Sequence, residues 1–357
     1  MRRVLVSKIS AGMVLARPVY DVHGLILVDA GVRLRANHRV LLNDSLSTEI
    51  LVEHAESNDL LAAPLFPALL ESKAIDALRT LLSRAQPAPD WAPPGSLVGT
   101  TPWLNKMLDC IHPVVLGDTY VSGCHRLDDA QYIHSVKVAQ LAMLIGQLAG
   151  AERAELFNLG LTALLMNAGY EGLPAGMLAS TAEWTGAERM EMTHHPVMSA
   201  SMMRLSGAPA DVLRAVEQHH EQWDGRGYPH GLGRHDVSLY ARIVSIADVY
   251  IALRSRRPYR DAMAPHEAIE FIMAFSGALF DPELVQLFVR HIPSYPTAAM
   301  VTLSTGESGI VIDPNAGHIA RPKVRVLSTN GTPMKESYAI DLSDPTHQQS
   351  VIQETEL

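Results

Sequence analysis

At 357 residues the chain exceeds one typical domain, so two or three are expected. Its 47% hydrophobic and 19% charged residues are ordinary for a globular protein. A net charge of −9 disfavours nucleic acid as the main partner, because a phosphate backbone needs a clustered basic face.

Two cysteines, Cys110 and Cys124, are too few for a disulfide framework or a four-cysteine zinc site, and point to a reduced, cytoplasmic chain. The start, MRRVLVSKISAGMVLARP, opens on two arginines but lacks the apolar core of a signal peptide. The most apolar stretch, LLAAPLFPALL at 60–70, is short and broken by prolines, so no membrane insertion is expected.

Residues 1–54 carry short β-type runs (VLVSKI, MVLARPVY, LILVDAGVRL), a helical piece around ANHRVLLND and a strand-like EILVEH, and read as a small β-rich module. Residues 55–97 hold an apolar helical stretch around Ala74 to Leu82, then AQPAPDWAPPGS, a stiff, proline-rich linker. From 98 to 292 helical periodicity dominates. In HSVKVAQLAMLIGQLAG, Val138, Leu141, Leu144, Ile145 and Leu148 recur on one face. Further helices read AELFNLGLTALLMN, HPVMSASMMRL, ADVLRAVEQHH, LYARIVSIADVYIALRS and PHEAIEFIMAF. Residues 293–357 return to β texture, with Asn330-Gly331 as a hairpin dipeptide.

Within the helical region His134 is expected to open one helix, and His195 precedes Pro196 near the start of another. His219 and His220 close a third, and Asp248 lies inside a fourth. Bundle interiors build metal sites from inward-facing side chains in this manner. Taken singly, His134 reads as a core or capping residue, and His219-His220 as a polar helix end. Asp248, in the apolar IVSIADVYIAL, needs a partner or a metal if buried. Asp224-Gly225-Arg226-Gly227-Tyr228-Pro229 reads as an irregular loop whose glycines permit positive φ and close backbone approach.

The string HHEQWDGRGYPHGL, followed by ARIVSIADVY and RSRRPYR, resembles the HD-GYP family, metal-dependent cyclic di-GMP phosphodiesterases of the HD superfamily. The resemblance covers residues 115–290. It implies a mainly α fold, an HD-superfamily helical bundle flanked here by the β-rich terminal modules. It further implies that His134 and Asp248 belong to a first metal site, and that His195, His219 and His220 hold a second. By the same resemblance Arg257 and Arg260 face nucleotide phosphates, and the metals are iron or manganese.

The resemblance breaks at one place. The family's His-Asp pair ends a helix as LLHDIGK, and this chain reads LLMNAGY there. Met166 stands at the histidine, Asn167 at the bridging aspartate and Tyr170 at the lysine. Ala130 is not the glutamate that accompanies a third metal in some members. A thioether suits manganese or ferrous iron poorly, and an amide offers an oxygen without a charge. The expectation is a degenerate member with at most one tightly bound metal or none, binding cyclic di-GMP or a related nucleotide with weak or no hydrolysis. An active phosphodiesterase is the first alternative. The second is a ligand-free interaction module that docks a diguanylate cyclase or another signalling protein.

Overall fold

The structure is a computed structural model. It describes residues 1–60, 63–64, 66–83, 97, 100–111, 119–120, 130–174, 177–178, 185–256, 261–315, 317–318 and 320–356. The proline-rich linker, Cys124, Arg257 and Arg260 lie outside the described residues.

At the N-terminal end β1 (Arg2–Leu5) pairs antiparallel with β4 (Glu49–Val52). Between them lie β2 (Val19–Tyr20) paired with β3 (Ile26–Val28), and the short helix α1 (Ala36–Leu42). A two-residue strand β5 (Ala63–Pro64) runs parallel to β6 (Thr119–Tyr120), with α2 (Ala68–Ser83) and α3 (Thr101–Ile111) between them. The bundle continues with α4 (Ala130–Leu148), α5 (Arg153–Leu165), α6 (Gly186–Leu205), α7 (Ala210–Gln218), α8 (Leu239–Arg254), α9 (Pro265–Ala274) and α10 (Pro282–His291). The chain ends in a five-stranded antiparallel sheet of β7 (Met300–Leu303), β8 (Glu307–Asp313), β9 (Lys323–Thr329), β10 (Thr332–Asp341) and β11 (Ile352–Glu356). Its order is β10-β9-β8-β7-β11. Asn330 (φ 48°) and Gly331 (φ 75°) turn β9 into β10, as the dipeptide predicts.

Three details differ from the sequence reading. Every residue of α4 from Ile133 to Gly146 is buried, so the helix is enclosed all round rather than on one face. His134 lies in its second turn, because α4 starts at Ala130. His195 sits in the middle of its helix, not near the start. Thr185 and Glu188 form a reciprocal capping box that starts α6 well upstream, and the helix runs through Pro196 without stopping.

The main apolar core is centred on α4, α5 and α8. Ile75 and Leu78 of α2 join it, as do Val22 and Leu46 from the N-terminal module. The two chain ends also pack on each other. Leu51 and Leu60 share a cluster with Ala298 and Ile310, and Arg325 grips Asp59 through both terminal nitrogens at 2.8 Å. A buried charge network ties these ends to the bundle. Glu49 of β4 accepts from Arg3 Nη1 at 3.2 Å and from Arg254 at the end of α8. Arg3 also donates to the Thr297 carbonyl at 3.2 Å, and Arg254 to that of Met263.

Removing the carboxylate leaves two buried guanidiniums uncompensated, whereas removing all three charges leaves none. Glu49→Gln should therefore lower the unfolding free energy in urea by about 3–5 kcal/mol. The apolar triple Arg3→Met, Glu49→Leu and Arg254→Met should recover most of it. A triple variant no better than Glu49→Gln would contradict this account of the junction.

Candidate metal centre

Three imidazoles converge inside the bundle. His195 comes from α6, His219 caps the C-terminal end of α7 and His220 follows it; their ligand atoms all lie within 4.8 Å of one another. His195 and His219 are 0% and 1% exposed. His195 Nδ1 lies 2.5 Å from the Met192 carbonyl oxygen, and His219 Nδ1 lies 2.7 Å from that of Val216. A carbonyl can only accept, so each Nδ1 carries its proton, and each neutral ring presents a lone pair at Nε2. Those two Nε2 atoms face each other at 3.3 Å. Two lone pairs at that distance repel unless a cation lies between them.

Burial, and next the cost of charging it beside His220, push the His195 imidazole down to about 4. Burial likewise holds His219 and His220 below the usual histidine range. The rings are thus kept in the neutral state that binds a metal. The donor set of three imidazole nitrogens fits a first-row divalent ion.

His134 and Asp248 are hydrogen-bonded to each other, with the imidazoles of His219 and His220 near enough to act on the Asp248 charge. His134 Nε2 lies 2.6 Å from Asp248 Oδ1, and Asp248 is 16% exposed. Burial by itself would raise the Asp248 carboxyl. The hydrogen bond from His134 and the imidazoles around it hold it well below the usual carboxylate range instead. His134 Nδ1 is buried without a hydrogen-bond partner.

The substituted turn lies against α6. Met166 caps α5 and is fully buried in the main core. Asn167 is 7% exposed, and its side-chain oxygen is buried with no hydrogen-bond partner. Gly169 donates its N–H to Ser199 Oγ at 2.7 Å, and a Cβ there would fall 2.4 Å from the His195 carbonyl oxygen. Only glycine permits that approach. The Tyr170 ring then lies 4.6 Å from the His195 ring.

On the other side the loop Asp224–Pro229 folds back over His220. A Cβ at Gly227 would fall 2.5 Å from the His220 carbonyl oxygen, so this position too needs glycine, while Gly225 uses its freedom for a φ of 82°. Tyr228 donates its N–H to the His220 carbonyl at 3.2 Å and stacks on the His220 ring at 4.8 Å. Asp224 accepts from the Arg226 N–H at 3.1 Å, and the Tyr228–Pro229 peptide is cis. The sequence pattern by itself assigns Glu221 no role. It is buried and accepts the backbone N–H groups of His230 (2.7 Å) and Leu232 (3.0 Å), which anchors the loop.

The HD-domain family model matches residues 122–284. Residues 122–284 are an HD domain of the HD-GYP kind. A cyclic di-GMP phosphodiesterase of Pseudomonas aeruginosa is 32% identical over 204 residues, 56% of this chain and 48% of that protein. One of Thermotoga maritima is 31% identical over 159 residues, 44% of this chain and 43% of its own. A 3′3′-cGAMP-specific phosphodiesterase of Vibrio cholerae is 29% identical over 163 residues, 44% of this chain and 31% of that protein. The matches thus span about half or less of these relatives' lengths. Bd1817, a HDG"Y"P protein from Bdellovibrio bacteriovorus, has a solved structure with a TM-score of 0.49 and 15% identity, covering 80% of this chain and 97% of that one. HD domains are metal-dependent, and the buried histidine cluster lies within the HD domain. Among the described residues no helix is long and apolar enough to cross a membrane.

The depressed imidazole gives a pH signature in the metal-free protein. His195 titrates near 6.5 when unfolded and near 4 when folded, so between these values the unfolded chain binds more protons. Stability should fall as pH drops from 6.5 to 4, by about 1.4 kcal/mol per pH unit for each imidazole that titrates only when unfolded. Urea midpoints across that range check this, and a flat profile would contradict neutral buried rings.

Proposed function

We propose that this chain is a cytoplasmic cyclic-dinucleotide-binding protein of the HD-GYP family that holds one divalent transition metal and hydrolyses its ligand very slowly or not at all. The metal would be held by His195, His219 and His220. When bound it supplies a compact positive charge that attracts a phosphate oxygen. The relatives' names support a cyclic dinucleotide as the ligand class, since they act on cyclic di-GMP or on 3′3′-cGAMP.

One observation carries the proposal. At the position where the family resemblance puts a carboxylate bridging two metals, Asn167 presents a buried, uncharged oxygen with no partner. Phosphodiester hydrolysis by a two-metal site depends on holding both ions close to the transferring phosphate. A neutral amide does little to offset the repulsion between two dications. Met166, sealed in the apolar core, adds no ligand, and Asp248 is already joined to His134. A metal between His134 and Asp248 would draw a single negative charge from those two side chains.

The names of the relatives favour a second reading, a working phosphodiesterase that tolerates the Met-Asn pair. Elemental analysis of the purified chain, joined to a cyclic di-GMP turnover assay, separates the two. We expect at most one iron or manganese per chain, and loss of that metal in His195→Ala. We expect turnover far below the ordinary enzyme rate of about 1 per second and above. Restoring Met166→His with Asn167→Asp should add a second metal. Two metals per unaltered chain, or ordinary turnover, would overturn the proposal.

A further inference from the structure

A proline inside a helix removes one backbone N–H, and its ring crowds the carbonyl four residues earlier. Helix α6 carries Pro196 in its interior, and the residue four earlier is Met192. The Met192 carbonyl is the one that accepts the proton of His195 Nδ1, at 2.5 Å. In an uninterrupted helix it would take the N–H of residue 196.

His219 obtains the same service by another route. Its Nδ1 donates to the Val216 carbonyl, three residues back as in His195. The helical donor for Val216 would be the N–H of residue 220, but α7 ends at Gln218 and that turn is not continued. In one case a proline, in the other a helix end, leaves a carbonyl available three residues before the histidine.

We infer that Pro196 is a positioning residue for the metal centre: by withholding an N–H from the Met192 carbonyl, it reserves that oxygen for His195 Nδ1 and points the Nε2 lone pair at His219. The inference rests on the reading of His195, His219 and His220 as metal ligands. Metal-bound histidines commonly have their other ring nitrogen fixed by a carbonyl or carboxylate in this way. If Pro196 only shaped the helix, replacing it would strengthen α6 and leave the imidazole alone, since proline is the poorest residue for a helix interior.

The test uses the full chain and Co²⁺ alone as the probe, read by its visible absorption. Pro196→Ala restores the N–H. We expect an unchanged or higher melting temperature together with Co²⁺ binding weakened about tenfold or more. Replacing Pro196 by lactic acid, which gives a backbone ester with neither ring nor N–H, should bind Co²⁺ within about threefold of the unaltered chain. Nitrogen-15 NMR of the metal-free protein reads the tautomer directly, and His195 should carry its proton on Nδ1. A proton on Nε2 instead overturns the inference, as does Co²⁺ binding by Pro196→Ala within about twofold of the unaltered chain. Failure of the unaltered chain to bind Co²⁺ would sink the metal reading itself, while the tautomer would still decide the role of Pro196.

Discussion

The carbonyls of Met192 and Val216 each take the Nδ1 proton of the histidine three residues on, and both histidines are buried. With those protons fixed, two lone pairs face each other across 3.3 Å in a buried interior. The surrounding architecture can be read as what keeps them there. The helix α4, buried on all sides, packs beside α5 and α8, and the turn after α5 sits against the His195 backbone through Gly169. The loop from Asp224 to Pro229 holds His220 from the opposite side, through the Tyr228 ring and its backbone N–H. Burial makes protonation of these rings unfavourable, which leaves a metal as the better positive partner near neutral pH.

Charge separates this chain from the pattern its family resemblance implies. Three imidazoles and an amide bring no negative charge to the centre. Asp248, a carboxylate that acts on these imidazoles, is held by His134. A neutral donor set can hold one dication, and two held close together would repel with little to offset them. Binding a phosphate-bearing ligand requires less than cleaving it, because a single cation supplies attraction without the clamp on both sides of the reacting phosphorus. The proposed loss of turnover with retention of binding would therefore need only a few changed side chains in one turn, with the fold intact.

The long motif made the HD domain legible, since His219, His220, Gly227 and Tyr228 stand in one continuous string whose parts touch in space. The departure at Met166 and Asn167 was equally plain, being a local difference against a short pattern. The position of His195 within its helix is less legible. The apolar periodicity of HPVMSASMMRL starts at the histidine, whereas the capping box that starts α6 lies in a polar stretch upstream. The Glu49 network could not be read at all. Its arginines lie 46 and 205 residues away, and no local pattern announces which acid will be buried between them. The packing of the two chain ends on each other is hidden for the same reason. Each β-rich module reads alike alone or paired, and what joins them, the shared cluster of Leu51, Leu60, Ala298 and Ile310 and the Arg325–Asp59 pair, spans the length of the chain.

The central claim is one metal, held by three neutral imidazoles, in a site that cannot keep a second. Anomalous diffraction from crystals grown with excess Co²⁺, recorded on both sides of the cobalt edge, tests it most directly. The account predicts a single full peak within bonding distance of His195, His219 and His220, and a direct His134–Asp248 contact free of cobalt. A second peak of comparable height between His134, Asp248 and Asn167 would contradict it.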